Sequence, residues 1–400
     1  MITRSSIIIG LVILLTGYSS WSTYQYFFDT LPPQVTIAGI EHEGYYAGDV
    51  QCAVEMSDNY KVKDISVFLD GNVLLSHFSI NRKHDEHIFT IPTKTLSNGC
   101  HELKIEVRDK SYHRNTTTEV LTFCVDNRPL QAAFVKSDSD IKVFQGRTLH
   151  LQFQVSKPIQ EATVKLFNKS FICVPESEDS LIYECFVPIA CEESPNEYIL
   201  SFEITDNVGN TVTLDTKFQV VLYPFKKQNL TIDPHKLQQE EEQGIPAQEL
   251  NDKLALLAEQ SPAKKLWRGL FYAPIDIKRI STEFGTIRTT PHKGRYPHNG
   301  VDLVGAPKAV VWAPQDGVIV LKDRYSSSGN TIVIDHGCGI LSMFFHLDTF
   351  ANVQVGDKIR KGNPLGTVGK TGHATGDHLH WEKRIYNIAV DPMQWIKHDF

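Results

Sequence analysis

Gly329-Asn-Thr-Ile-Val-Ile-Asp-His-Gly337 is a short run of mostly β-branched residues with a glycine at each end. Such a run between turn residues predicts a strand. Comparable runs lie on both sides of it, so the region predicts successive antiparallel strands, at 310–313, 317–321, 331–335 and 340–345. Recurring glycines indicate tight turns between them. The C-terminal third, 266–398, is therefore predicted to be an antiparallel β-sheet domain.

The composition of the whole chain limits the classes of protein that it can belong to. Its 400 residues suggest about three folded units. Apolar residues make up 41% and charged residues 22%, which excludes a disordered chain, a collagen and a polytopic membrane protein. The net charge of −7 argues against a nucleic-acid partner. Chemistry is expected in 266–398, which holds half of the 16 histidines and more Lys and Arg, 16, than Asp and Glu, 11.

The region between 33 and 223 also has a β pattern. Short alternating runs are separated by turn residues, and a weak repeat relates Ile105-Glu-Val-Arg-Asp109 to Phe202-Glu-Ile-Thr-Asp206. Two copies of about 95 residues are typical of tandem immunoglobulin-like β-sandwiches, predicted here at 33–127 and 128–223. They resemble the Ig-like modules of bacterial cell-envelope proteins. That resemblance implies a spacing role or envelope protein partners.

The segment 224–265 differs from the regions on both sides of it. A helix can begin at Asp233-Pro234, and Leu250, Leu254 and Leu257 fall on one face of a second helix. The segment is therefore predicted to be a helical linker. A solvated connector is favoured over a linker that docks.

The seven cysteines do not define a disulfide pattern by themselves. Their odd number leaves at least one thiol free. Cys173 and Cys185 fall on two predicted arms of a hairpin, so they are the pair that best suits a disulfide. A chain in which all the cysteines are buried thiols stays open as an alternative.

The C-terminal domain contains residues that can bind and use a metal ion. His298-Asn-Gly-Val-Asp302 places an imidazole and a carboxylate four residues apart, and His378-Leu-His380 places two imidazoles on one face of a strand. His346 lies at the end of another predicted strand. Three nitrogen or oxygen ligands with an open position are typical of a catalytic zinc site, whereas a structural site is usually closed by four Cys or His ligands. Each motif alone is weak, and their order within one β domain favours a metal centre.

Further motifs occur in the same order as in a known family. They are Ser281-Thr-Glu-Phe-Gly285, His298-x-Gly-x-Asp302, Ala313-Pro-Gln-Asp-Gly317, Gly329 to Gly337, Phe345-His-Leu347, Val355-Gly-Asp357, Lys361-Gly362, Gly366-x-Val-Gly369, Thr371-Gly-x-Ala-Thr-Gly376 and His378-Leu-His-Trp-Glu382. On these motifs, the stretch from Trp267 to Trp395 resembles the lysostaphin/LytM-type zinc metallopeptidases, which cleave peptidoglycan peptides. The resemblance covers about a third of the chain.

The resemblance implies a role for five residues. His298, Asp302 and His380 correspond to the ligands of one Zn²⁺ per chain, and His346 and His378 correspond to the catalytic pair. The expected activity is that of a zinc metalloendopeptidase that hydrolyses peptide bonds in the stems or crosslinks of peptidoglycan. Which of the two catalytic histidines takes the proton stays open.

The sequence departs from the family pattern at three positions. Phe344 stands where the family usually has Tyr, Asp377 where it has Pro, and Arg288 is displaced from the usual arginine position. None of these removes a ligand, so they bear on substrate contacts and rate. Two alternatives are a catalytically weak module that binds the wall and regulates other wall hydrolases, and a secreted peptidase that acts on proteins. The presence of all five site residues argues against the first.

The N-terminus has the pattern of an exported protein. Arg4 precedes an apolar run at 7–15, and aromatic residues follow as far as Phe28. A signal anchor at 1–30 with a span at about 7–28 is predicted, and a cleaved signal peptide is the alternative. Because Arg4 favours a cytoplasmic N-terminus, we expect a single-pass inner-membrane protein with its peptidase domain on the periplasmic side.

Overall fold

The computed structural model describes residues 18–136, 140–166, 168–229, 234–243, 245–290 and 294–398. The described part of the protein is mainly β, which confirms the predicted class. The described residues form two compact units, one within 18–129 with 207–210 and one within 130–206 and 211–398. The second unit thus contains both the second predicted sandwich and the C-terminal domain.

The first unit contains a helix at 18–28, named α1 here, and a six-stranded sheet. The strands are β1 (Gln34–Ala38), β2 (Tyr45–Tyr46), β3 (Val50–Leu69), β4 (Asn72–Ile91), β5 (Gly99–Asp109) and β6 (Thr116–Val125), with a 3-10 turn at Thr93–Thr95. They pair in the order β1-β3-β5-β6-β2, and β4 pairs with β3. The start of β3 pairs with β1 and its end pairs with β5, and its register with β4 shifts between Ser57 and Val62.

A disulfide joins Cys100 of β5 to Cys124 of β6, which are directly opposite each other. The sequence favoured Cys173 and Cys185, and this prediction is wrong for the structure described. Those two cysteines are also directly opposite each other, but both are buried thiols. Because both pairs have the same cross-strand register, hairpin position alone does not distinguish the bonded pair.

The second unit begins with eight strands. They are β7 (Ala132–Phe134), β8 (Ile141–Phe144), β9 (Thr148–Val155), β10 (Ile159–Leu166), β11 (Lys169–Pro175), β12 (Ile182–Pro188), β13 (Glu197–Asp206) and β14 (Thr211–Val221). They pair in the order β7-β9-β12-β11-β10-β13-β14-β8. Although three strands separate β9 from β13, Phe153 and Phe202 belong to one buried cluster, with ring centroids 5.6 Å apart. The sheet therefore folds over and encloses a single core.

The rest of the second unit is a ten-stranded sheet with a small three-stranded sheet beside it. The elements are β15 (Lys227–Asn229), α2 (Pro234–Gln243), α3 (Ala247–Glu259), β16 (Arg279–Thr282), β17 (Ile287–Thr290), β18 (Gly294–Pro297), β19 (Gly300–Val304), β20 (Val310–Trp312), β21 (Gly317–Tyr325), β22 (Gly329–Asp335), β23 (Ile340–Phe350), β24 (Lys358–Ile359), β25 (Pro364–Val368), β26 (Leu379–Ile385), β27 (Ile388–Val390) and α4 (Pro392–Trp395). The long sheet pairs in the order β16-β19-β26-β23-β22-β21-β24, while β15, β17 and β18 form the small sheet. The predicted antiparallel strands of the C-terminal third are thus observed.

The linker helix α3 packs on this sheet, contrary to the solvated connector that the sequence favoured. Leu250, Leu254 and Ala258 are buried, and they share a core cluster with Val333 of β22 and Met343 of β23. The apolar face predicted for the helix is therefore real. The helix packs this apolar face on the sheet because the contact removes apolar surface from water.

The eight-stranded region also packs against the C-terminal part of its unit. Phe186 of β12 lies in one buried cluster with Trp267 and Trp395. The Trp395 indole Nε1 donates a hydrogen bond to the Thr148 hydroxyl, and Arg147 forms an ion pair with Asp391. These contacts explain why the two regions form one compact unit.

None of the helices in the described part of the chain is long and apolar enough to cross a membrane. Half of the predicted span at 7–28, residues 7–17, lies outside the described residues, and the other half, 18–28, forms α1.

Candidate metal centre

Strands β19 and β26 lie side by side, and their register places Asp302 directly opposite His380. His298 precedes β19 by two residues. Gly300 lies between His298 and Asp302, where a Cβ atom would come within 2.7 Å of His380 Nε2 and 2.5 Å of the Trp381 carbonyl oxygen. Any other side chain would force β19 away from β26. The glycine therefore allows the two strands to bring three polar side chains together.

His298, Asp302 and His380 converge on one point. His298 Nε2 lies 2.9 Å from His380 Nδ1 and 3.0 Å from Asp302 Oδ1, and His380 Nδ1 lies 2.9 Å from the same Oδ1. All three residues are buried. The ligands of a tetrahedral ion with bonds of 2.0–2.1 Å are about 3.3 Å apart. The triangle therefore has nearly the dimensions of one face of such a site.

The charges in this triangle favour a cation. Burial alone would raise the pKa of Asp302, but hydrogen bonds from His298 and His380 hold it well below its usual range. Burial would lower the pKa of His380, but hydrogen bonds to Asp302 and Glu382 raise it to about 9. The buried aspartate is thus an anion at neutral pH, and it attracts positive charge between the three donor atoms.

Outer contacts orient two of these residues. His298 donates its Nδ1–H to the Glu283 carbonyl oxygen over 3.1 Å, so its Nε2 is left to face the triangle. Arg288 donates from Nη2 to the second oxygen of Asp302, Oδ2. Such contacts fix the tautomer and the orientation of metal ligands in proteins.

His380 has its own outer partners. Its Nε2 lies 3.4 Å from Glu382 Oε2, and Glu382 is fully buried and accepts a hydrogen bond from Arg384 Nε. The Phe345 ring stacks on the His380 ring at 5.2 Å, nearly parallel to it. A carboxylate on one side and an aromatic face on the other leave Nδ1 as the nitrogen available to an ion.

His346 reaches the site through an irregularity of β23. Between β22 and β23 the register shifts so that two residues of β23, one of them His346, face a single residue of β22. His346 has a φ of 62°, in the left-handed region. A bulge of this kind redirects a side chain and is frequent beside active sites. The His346 ring lies 4.9 Å from the His378 ring, and its Nδ1–H is donated to the Thr371 carbonyl oxygen over 2.8 Å.

His378 lies at the edge of the triangle. Its Nδ1–H is donated to the Gly376 carbonyl oxygen over 2.8 Å, and its Nε2 lies 3.6 Å from Asp302 Oδ1. Burial lowers the pKa of His378, and burial together with the nearby His378 and His380 rings lowers the pKa of His346 well below its usual range. Both imidazoles are therefore neutral at neutral pH, and Nε2 is the basic nitrogen of each.

The structure brings together all five residues that the sequence singled out, and it adds Glu382, Arg288 and Thr371 around them. The i, i+2 spacing of Glu382 from His380 was a usable signal, because alternate residues of a strand share a face. Arg288, which we expected to bear on substrate contacts, lies on β17 and contacts Asp302 instead. The Thr371 carbonyl lies in a loop and carries no such signal. Phe344 is fully buried in the core, so a hydroxyl at this position would not contact a substrate, contrary to our expectation.

The fold and the site define a β-sheet domain with a buried group of two histidines and one aspartate that could hold a metal ion. Residues 296–392 match Peptidase family M23, so the C-terminal part of the chain contains an M23 peptidase domain.

Two relatives share this part of the chain. The DD-carboxypeptidase/endopeptidase Mpg of Neisseria meningitidis serogroup B is 38% identical over 127 residues, which are 31% of this chain and 29% of Mpg. The peptidoglycan DD-endopeptidase ShyC of Vibrio cholerae is 32% identical over 121 residues, 30% of this chain and 28% of ShyC. The chain thus spans less than a third of the length of either relative. A solved M23 peptidase structure from Pseudomonas aeruginosa is 25% identical, covers 63% of this chain and 94% of its own, and has a TM-score of 0.46.

Proposed function

We propose that this protein is a zinc-dependent endopeptidase that hydrolyses peptide bonds in the stems or crosslinks of peptidoglycan. One observation carries the proposal: His298, Asp302 and His380 converge on one point beside His346 and His378, inside an M23 domain. The substrate class is supported by relatives that are named peptidoglycan DD-endopeptidases.

The donor set fits one Zn²⁺ ion per chain. His298 Nε2, His380 Nδ1 and one oxygen of Asp302 would hold it, and no thiolate is needed. When bound, zinc lowers the pKa of a ligated water to about 7 and polarises a peptide carbonyl. Three protein ligands leave the fourth position for that chemistry, as in other catalytic zinc sites.

His346 and His378 are proposed as the acid–base pair. Each donates its Nδ1–H to a backbone carbonyl, so Nε2 holds the lone pair that can accept a proton. Burial keeps both rings neutral at neutral pH. One ring takes the proton of the attacking water and passes it to the leaving amine, and a protonated ring stabilises the negative charge on the carbonyl oxygen.

Activity and metal dependence are tested together. The purified chain should release muropeptides from isolated peptidoglycan, a chelator should stop the release, and added Zn²⁺ should restore it. Asp302→Ala should abolish both activity and bound zinc, whereas Asp323→Ala, at an exposed aspartate of the same domain, should change neither. Full zinc occupancy in Asp302→Ala by elemental analysis, or release that is insensitive to chelation, would contradict the proposal. Mass spectrometry of the products identifies the bond that is cleaved.

We also propose that the peptidase domain works outside the cytoplasm, anchored by one N-terminal span at about 7–28. Arg4 precedes the apolar run, and no Lys or Arg follows it before Lys61, so the flanking charges favour a cytoplasmic N-terminus. The β regions at 33–127 and 128–223 are proposed as Ig-like modules that space the enzyme or contact envelope proteins. Tagged protein should fractionate with the membrane. A soluble species that begins near Ser20 would contradict the anchor and leave the enzymatic proposal intact.

A further inference from the structure

Three aspartates meet in the first unit, outside the M23 domain. Asp29 directly follows α1, Asp58 lies where the register of β3 shifts, and Asp109 is the last residue of β5. Carboxylate oxygens of all three lie within 4.8 Å of one another. Three segments that are far apart in the sequence thus place negative charge at one point.

Two of the three aspartates are buried and Asp58 is half-buried, and part of the cluster lacks a hydrogen-bond donor. Asp29 is only 4% exposed and Asp109 is fully buried. Among the described residues, none donates a hydrogen bond to Oδ2 of Asp29 or to Oδ2 of Asp58, although both atoms are inaccessible to solvent. A buried carboxylate oxygen without a partner is costly, so such an atom needs an explanation.

The groups that do reach the three carboxylates are all neutral. They are Leu31 N and Asn59 Nδ2 on Asp29, Tyr60 N and Lys61 N on Asp58, and Ser111 N, Ser111 Oγ and Asn115 Nδ2 on Asp109. Burial raises the pKa of Asp58, and the negative charges of Asp29 and Asp109 raise it further. Within the described part of the chain, no cationic side chain forms an ion pair with any of the three. The cluster therefore has the charge of a cation site without a cationic side chain of its own.

We propose that Asp29, Asp58 and Asp109 bind a Ca²⁺ ion. Calcium takes six to eight oxygen ligands in flexible geometry, and carboxylates are its preferred protein ligands. The orphaned oxygens of Asp29 and Asp58 would supply two of these ligands. The cluster contains no imidazole or thiolate, which disfavours zinc. Magnesium requires a near-ideal octahedron and loses its water reluctantly, so it suits this irregular buried group less well.

The site would connect α1 to the sheet of the first unit. Tyr112 N donates to the Tyr26 carbonyl oxygen over 2.8 Å, and Gln25 Nε2 donates to the Asn59 carbonyl oxygen over 3.1 Å. The Tyr26 ring contacts the rings of both Tyr60 and Tyr112. These contacts hold the end of α1 against the same two segments that contribute Asp58 and Asp109. A calcium ion bound to Asp29 would therefore fix the direction in which the chain enters the first β region.

The test uses the full chain in a non-ionic detergent, stripped of metal with a chelator. Equilibrium dialysis with ⁴⁵Ca should give one bound Ca²⁺ per chain, and scanning calorimetry should show a higher unfolding midpoint of the first unit with Ca²⁺ than without it. His298→Ala, which disables the M23 metal centre, should keep both responses. If His298→Ala loses them, calcium was binding at the M23 centre and the proposal is wrong.

The decisive variant is Asp58→Asn. It should lose calcium binding and the calcium-dependent shift. In chelator it should unfold at a higher temperature than the unsubstituted chain, because one of three repelling charges is gone. Glu119→Gln also removes one negative charge, but at an exposed position of β6, so this variant should behave as the unsubstituted chain does. Two results for the unsubstituted chain would overturn the assignment, whatever the variants do. One is that the chain binds no ⁴⁵Ca, and the other is that Mg²⁺ raises its unfolding midpoint as much as Ca²⁺ does.

Discussion

His380 faces Asp302 across two adjacent strands, with its Nδ1 2.9 Å from Asp302 Oδ1. The register of β19 against β26 sets this relationship, and a slip of one residue would turn His380 to the other face of the sheet. Glu382 follows on the same face and supports His380 from behind. The proposed metal centre is therefore built mainly on paired strands, which hold side chains more accurately than loops do.

Replacing either His346 or His378 by alanine should separate chemistry from metal binding. Neither ring is one of the three convergent donors, so both variants should keep their zinc. The rate of peptide hydrolysis should fall by about 10²–10⁴-fold, the usual effect of removing an acid–base group. Zinc content by elemental analysis and turnover on a defined muropeptide measure the two properties. Unchanged turnover in one variant would show that its histidine is structural.

Glu382→Gln should weaken metal binding without removing a ligand. The carboxylate lies 3.4 Å from His380 Nε2, and removing its charge makes the imidazole a poorer ligand. We expect the zinc dissociation constant to rise about 10–100-fold, as for other outer partners of metal-bound histidines. Competition with a chromophoric chelator measures it.

Glu283→Gln is the matched control for this change. Glu283 contacts His298 through its backbone carbonyl, while its side chain is half exposed and pairs with Lys226. Zinc affinity should therefore be unchanged in this variant. Equal losses in the two variants would mean that the net charge of the domain, rather than the contact to His380, sets the affinity.

The sequence predicted the parts of this structure that depend on local spacing. The glycine-bounded strands of the C-terminal sheet are observed. His378 and His380 both approach Asp302, as their i, i+2 spacing predicted, although β26 begins at Leu379 and His378 precedes it. The bulge at His346 was not predicted, because it arises from pairing with β22 and not from local preference. The aspartate cluster was missed for a similar reason. Its three members come from separate segments that only the folded sheet brings together.

The docking of α3 was also missed, and it gives a direct test of packing. Leu254 is fully buried, whereas Leu256 on the same helix is 56% exposed. Leu254→Ala should lower the free energy of unfolding of the second unit by about 2–5 kcal/mol, because it removes apolar contacts and leaves a cavity. Leu256→Ala should change it by less than about 0.5 kcal/mol. Tryptophan fluorescence in urea follows this unit, since four of the five tryptophans lie in it. Equal effects of the two substitutions would show that α3 does not dock in solution.

The stability of the first unit should depend on pH through one histidine. His101 is buried, with Nδ1 2.7 Å from Asp70 Oδ2 and Nε2 2.8 Å from the Ser97 carbonyl oxygen. Both ring nitrogens face acceptors, so only the doubly protonated ring donates to both. Burial lowers the pKa of His101, but these hydrogen bonds outweigh burial and raise it above its usual value.

The sign of the pH effect follows from that shift. Stabilisation by protonated His101 is complete below its unfolded pKa of about 6.5, and it is lost as pH rises through the higher folded pKa. The pKa of Asp70 is lowered, because its hydrogen bonds from Glu102 N and His101 outweigh the effect of burial. The stabilisation by ionised Asp70 is therefore complete above its unfolded pKa of about 4, and it is lost as pH falls through the lower folded pKa. The pair should stabilise the unit most between these two limits.

His101→Gln keeps a donor but does not titrate in this range. In scanning calorimetry, the first unit should have a higher unfolding midpoint in the unsubstituted chain than in His101→Gln. This difference should be largest near pH 5–6, where both partners are charged. The difference should shrink steadily as the pH rises above the folded pKa of His101. His84→Gln, at an exposed histidine of the same unit, should show no such trend. A difference between the unsubstituted chain and His101→Gln that stays constant from pH 5 to pH 9 would mean that His101 stabilises the unit by shape alone.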